Sequence, residues 1–94
     1  MKKDSGKEIE EALGTVGKIR ILRVLARNPG KSLSKYALIK STGLKRSNLN
    51  RHLKQLARIG WIKEVTGVYT RYQINLENPK VQHLIDFFKK TEYI

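Results

Sequence analysis

Between Arg46 and Arg58 the chain alternates fixed cations with amides and a hydroxyl: Arg46, Ser47, Arg51, Lys54 and Arg58, flanked by Asn48, Asn50 and Gln55. Guanidinium and ammonium groups only donate hydrogen bonds, amides donate and accept, and the hydroxyl does either. Their shared chemistry is recognition of a polar, negatively charged partner. The start of the run sharpens this. Lys45 falls at the N-cap and Arg46 in the first turn of the helix that the spacing predicts. Lysine cannot accept a bond from the exposed N–H groups there. Two cations also oppose the positive end of the helix dipole, at a cost of about 0.3–1 kcal/mol each. A phosphate or the edge of a guanine would supply the missing compensation.

The stretch Leu44–Ile62 must hold these groups. Leu49, Leu53 and Leu56 follow one another at spacings of four and three, with Ala57 at the margin, so they form one apolar stripe. Ser47, Arg51, Lys54 and Arg58 take the opposite side. Gly60 can end the helix because glycine enters the left-handed region at low cost. His52, at the edge of the leucine stripe, reads as a packing residue, and His83 has no ligand-type neighbour at metal spacing.

Charge distribution supports an anionic partner. The net charge is +12, yet no acid occurs between Ala12 and Lys63, so salt bridges within helices cannot account for the many cations there. A field of one sign attracts a polyanion. Nucleic acid is the first candidate. An anionic membrane surface is the second, and a poor one, because the apolar residues are committed to a core. Ninety-four residues suffice for one domain with one modest core. The lack of cysteine excludes disulfides, thiolate metal sites and cysteine catalysis. No apolar run approaches a membrane span, and the N-terminus has no signal-peptide character, so a soluble cytoplasmic protein is expected. Neither a phosphate-binding glycine loop nor a nucleophile–base pair is present, and the expectation is a non-enzyme with no metal or cofactor.

Along the chain, residues 1–6 read as a flexible tail and residues 7–94 as a single domain. A short helix is expected over Lys7–Leu13, then a second over Val16–Arg27 with Val16, Ile19, Leu22 and Ala26 as its stripe and Ile21 and Val24 on another side. Asn28-Pro29-Gly30 stops that helix. Lys31–Leu33 can form a very short strand, and Ser34 caps a helix reaching Thr42. With the glycine-containing turn at Gly43, that helix and the next make a helix-turn-helix. Trp61–Thr66 and Tyr69–Asn75 read as a hairpin turning at Gly67-Val68, with Trp61 a core aromatic at its root. Asn78-Pro79 starts the last helix. The fold class is therefore mainly α with a small β-hairpin.

The apolar supply exceeds what one small core needs. Ile9, Leu13, Ile21, Val24, Val81, Leu84, Ile85 and Phe88, with Phe87 beside them, are read as a homodimer surface; the alternative is that they close the monomer.

SNLNRHLKQLARIGWIKE followed by TGVYTRYQI resembles the ArsR and MarR families of winged helix-turn-helix transcription regulators, over roughly Val16 to Ile74. Asn50-Arg51-His52-Leu53-Lys54 stands where those families carry a serine- or threonine-led run, and Arg71-Tyr72-Gln73-Ile74 resembles the return strand of the wing. Three departures matter: Lys45 replaces the usual hydroxyl cap, Trp61 replaces an aliphatic residue, and the metal-binding cysteines are missing, so metal sensing is not carried over.

The resemblance implies a homodimer on double-stranded DNA, with the helix from about Arg46 to Ile59 in the major groove. Arg46, Ser47, Asn48, Asn50 and Arg51 would share base and phosphate contacts, in a division left open, with Lys45 beside them at the helix start. Lys54 and Arg58 would meet the backbone, and Ser34 and Lys35 could anchor a phosphate. Arg71, with Lys63 and Thr70, is the candidate wing contact. Two other readings use the same fold: a nucleoid-type protein without sequence preference, and a protein-interaction module whose basic face is incidental.

Overall fold

A computed structural model of the chain describes residues 12–94, so the expected tail, most of the helix from Lys7 and the interface candidate Ile9 lie outside the described residues. Four full helices and three short strands follow in the order α1 (Val16–Arg27), β1 (Leu33–Ser34), α2 (Lys35–Thr42), α3 (Arg46–Arg58), β2 (Ile62–Val65), β3 (Arg71–Ile74) and α4 (Pro79–Lys90). Most boundaries have a local cause. The Thr15 hydroxyl accepts from Lys18 N at the start of α1, Ser34 Oγ accepts from Ala37 N at the start of α2, and Asn78 Oδ1 accepts from Lys80 N ahead of Pro79. Gly43, at φ 74°, closes α2 with its N–H on the Ile39 carbonyl.

The strands form one antiparallel sheet in the order β1-β3-β2. Leu33 pairs with Tyr72 and Ser34 with Arg71, while Ile62 pairs with Ile74 and Glu64 with Tyr72. Side chains alternate across a strand, so Ile62, Tyr72 and Ile74 turn to the core and Lys63, Gln73 and Arg71 turn away. The turn is longer than the two residues expected: residues 66–70 lie outside both strands, and Tyr69 belongs to the loop and not to β3.

Ile21, Leu22 and Leu25 of α1, Leu38 of α2, Leu49 and Leu56 of α3 and Val81 of α4 are completely buried, with Leu53, Trp61, Ile62 and Ile74 almost so. Trp61 is thus a core aromatic, and the leucine stripe of α3 faces inward as its spacing predicts.

The phase of α1 differs from the expectation. Val16 is 64% exposed, whereas Ile21, assigned to a spare outer side, is fully buried beside Leu22 and Leu25. With apolar residues on more than one side, periodicity cannot choose the inward face, and packing against α2, α3 and β3 does. The same correction reaches part of the expected dimer surface. Ile21 and Val81 have no exposed area and Phe88 is 4% exposed, because they close this chain's own core. Leu13, Val24 and Ile85 are half-buried, Leu84 sits at the core boundary, and Phe87 projects outward at 60% exposure.

Candidate nucleic-acid interface

The front of α3 is open. Arg46, Ser47, Arg51, Lys54 and Arg58 are exposed, and Asn48, Asn50 and Gln55 are half-buried on its flanks. Lys45 occupies the N-cap in extended conformation, is exposed, and makes no side-chain capping bond. With Arg46 beside it the helix carries an uncapped, like-charged start, a local cost of about 1–2 kcal/mol. Three buried leucines behind it, at about 1.5–3 kcal/mol each, outweigh that cost. The helix is held from its back, and its front stays open to solvent.

Three neighbouring depressions run along this surface. The first, about 570 Å³, lies between the start of α2, the first turn of α3 and the wing, and brings Ser34, Lys35, Arg46, Thr70 and Arg71 together with Tyr36 and Tyr69. The second, about 540 Å³, is bounded by Lys35, Asn50, Arg51, Lys54, Glu64 and Tyr72. The third follows Arg51, Lys54, Gln55 and Arg58 down the helix. Residues far apart in sequence thus make one cationic face, because β1 leads directly into α2 and pairs with the return strand of the wing.

Several side chains there are already oriented. Arg51 Nη2 donates to Asn48 Oδ1 at 3.2 Å, which ties two of the candidate reading residues together. Arg71 Nη1 donates to the Ser32 carbonyl at 3.3 Å. Asn50 Oδ1 is buried and has no hydrogen-bond partner among the described residues, although the residue borders the second depression. Ser34 spends its hydroxyl on capping α2.

Lys63 does not join this group. It lies on the same hairpin face as Arg71 but nearer the root, where its Nζ pairs with Glu77 at 2.9 Å. That partner lies outside the basic surface, and both side chains stay exposed to solvent.

Sequence reasoning passed over Tyr36, Tyr69 and Glu64. Tyr36 is 66% and Tyr69 76% exposed, and both face the first depression. An aromatic next to the capped start of α2 was a visible signal, whereas Tyr69 was hidden by its assignment to a strand. Glu64 places one carboxylate amid Lys35, Arg51 and Lys54. Burial, and secondarily that carboxylate, pushes the Tyr72 hydroxyl above its ordinary value.

Behind the helix, His52 is 6% exposed and packs against α1, as its place on the stripe predicts. Burial chiefly, then Arg51 and Lys18, lower its pKa, and its Nδ1 is buried with no hydrogen-bond partner among the described residues. Among the described residues no three His, Cys, Asp or Glu side chains gather as metal ligands would, and no helix is long and apolar enough to cross a membrane.

A model of the MarR family matches residues 13–67. No curated protein matches the sequence. Among solved structures, the fold is similar to HlyU from Vibrio cholerae, with a TM-score of 0.77 and 24% identity over 97% of each chain. It is also similar to the transcriptional repressor PagR of Bacillus anthracis, with a TM-score of 0.73 and 24% identity over 92% of this chain and 93% of that one. A third is the homodimeric winged helix-turn-helix DNA-binding domain Mb0332 from Mycobacterium bovis, with a TM-score of 0.73 and 21% identity over 95% of this chain and 79% of that one.

Proposed function

The chain belongs to the MarR family of winged-helix transcription regulators, and from that premise we propose that it binds double-stranded DNA as a homodimer and reads a specific sequence. The observation that carries this reading is the first turn of α3, where Lys45 and Arg46 stand at an uncapped helix start on an open cationic face. A duplex resolves every conflict there at once: its phosphates neutralise the cations, and its base edges meet the amides and guanidinium groups. Arg46, Ser47, Asn48, Asn50 and Arg51 lie at the groove-facing end of α3, Lys54 and Arg58 track the backbone, and Lys35 with Arg71 meets the flanking phosphates.

The homodimer is supported by the apolar hollow of about 630 Å³ between α1 and α4, lined by Leu13, Ile19, Leu84, Phe87 and Tyr93 among others. Exposed Phe87 at its edge extends the hollow into a contiguous apolar surface. Mb0332, which shares the fold, is described as homodimeric. Two recognition helices related by a two-fold axis would sit about 34 Å apart and read a palindrome.

Selection of bound sequences from random duplex DNA tests the reading. The expected product is a palindromic site bound much more tightly than its scrambled counterpart at one salt concentration. A ratio near one would instead mean a nucleoid-type protein without sequence preference, and negligible duplex binding near physiological salt would mean a protein-interaction module.

A further inference from the structure

The loop at the tip of the wing, Thr66-Gly67-Val68-Tyr69-Thr70, contains no charged residue. Val68 is 94% and Tyr69 76% exposed, the two most exposed large hydrophobic side chains among the described residues. At these exposures neither side chain contributes burial to the fold. A wing that gripped phosphates or entered a narrow minor groove by charge would need a cation at its tip. The nearest, Arg71, is turned back to the Ser32 carbonyl.

The tip is nevertheless continuous with the cationic face. Tyr69 borders the same depression as Tyr36, Lys35, Arg46 and Arg71, so whatever neutralises those cations also reaches the tyrosine ring. On the reading of this chain as a duplex-binding protein, on which the inference rests, that occupant is DNA. The walls of the minor groove offer deoxyribose C–H groups and base edges, and apolar side chains are known to pack there. A tyrosine adds a hydroxyl for the acceptors on the groove floor.

We infer that the wing of this protein docks by apolar contact: Val68 and Tyr69 pack into the minor groove of the bound duplex, against sugar and base edges, where a cationic wing would use charge. Such a contact releases no counterions. Its share of the affinity is therefore insensitive to salt, unlike that of every cation on α3.

The test uses the full chain and a fluorescently labelled random-sequence duplex, with anisotropy titrations over a series of salt concentrations. Tyr69→Ala is expected to weaken binding about tenfold, comparable to truncating an aromatic that stacks on a base, with the slope of log affinity against log salt unchanged. Tyr69→Phe retains most of the affinity, and Val68→Ser loses several-fold. Lys54→Gln, on the exposed front of α3, in contrast loses affinity and flattens the slope by about 0.9. Melting curves of the two alanine and serine variants should match the parent, since both side chains are in solvent. Parent-like binding by Tyr69→Ala, or a changed salt slope, overturns the apolar wing, including the case in which the tip instead meets a protein. Failure of the unaltered chain to bind duplex at all overturns the DNA-binding reading together with the inference, and so is distinguishable from failure of the inference alone.

Discussion

Gly17 of α1 lies so close to His52 of α3 that a Cβ added to it would stand 2.7 Å from the imidazole Nε2 and 2.8 Å from Cδ2. Helix propensity alone says that Gly17→Ala should stabilise the protein by about 0.5–1 kcal/mol. Overpacking against a buried ring costs about 1–3 kcal/mol, which is larger. Gly17→Ala should therefore lower the melting temperature. A rise would mean that the ring moves aside freely and that close contact does not set the seat of α3.

His52 also makes a pH prediction. Its folded-state pKa lies below the ordinary histidine value of 6.5, because burial and the cations Arg51 and Lys18 disfavour imidazolium. As pH falls past 6.5, the unfolded chain takes up the proton before the folded chain does, so stability falls with it. Above that value the contribution is fully present. Thermal unfolding at a series of pH values should show this loss in the parent and a shallower one in His52→Gln.

Replacing Lys45 by serine separates stability from binding. The hydroxyl would cap N–H groups of α3 that no side chain caps now. A gain of about 0.5–2 kcal/mol is expected in denaturant titration. Duplex affinity should fall at the same time, with a salt slope flatter by about 0.9 if the ammonium neutralises one phosphate. A stabilised variant with undiminished affinity would remove Lys45 from the interface.

Arg51→Ala and Lys89→Ala remove one cation each from exposed positions on different helices. If α3 is the reading face, the first should cost about 1–3 kcal/mol on a selected site and relax preference at one base pair. The second should change little. Equal losses would point to long-range charge with no reading face.

Phe87→Glu should leave the fold intact, since the ring is 60% exposed, yet convert a dimer to monomer in sedimentation. Val81→Glu is expected to unfold the chain, because that side chain is fully buried. An unchanged mass for Phe87→Glu would exclude this ring from the contact.

The parts of the fold legible in the sequence were those with one dominant physical signal. Leu49, Leu53 and Leu56 admit only one inward face for α3, Asn78-Pro79 admits only a helix start, and Ser34 caps where the pattern put it. The phase of α1 was not legible, because Val16 and Ile21 are equally apolar and only contact with other elements decides between them. The wing failed similarly: Thr66 and Tyr69 have strand composition but occupy a loop. On the candidate site, sequence located the cations of α3, whose exposure follows from the leucines behind them. It did not foresee the pairing of Lys63 with Glu77, which is fourteen residues away and reached only through the hairpin. Tyr36 and Tyr69 meet only in three dimensions, across a depression that no local spacing encodes.

The pairing of Ser34 with Arg71 fastens the wing to the residue that begins α2. The wing and the start of α2 are accordingly joined by the short ladder between β1 and β3, and cannot part without unpicking it. If α3 and the wing engage a duplex as proposed, that link helps set the span from one groove to the next. Sequences that twist or narrow easily to that gauge would be held in preference to stiffer ones, even at base pairs no side chain touches.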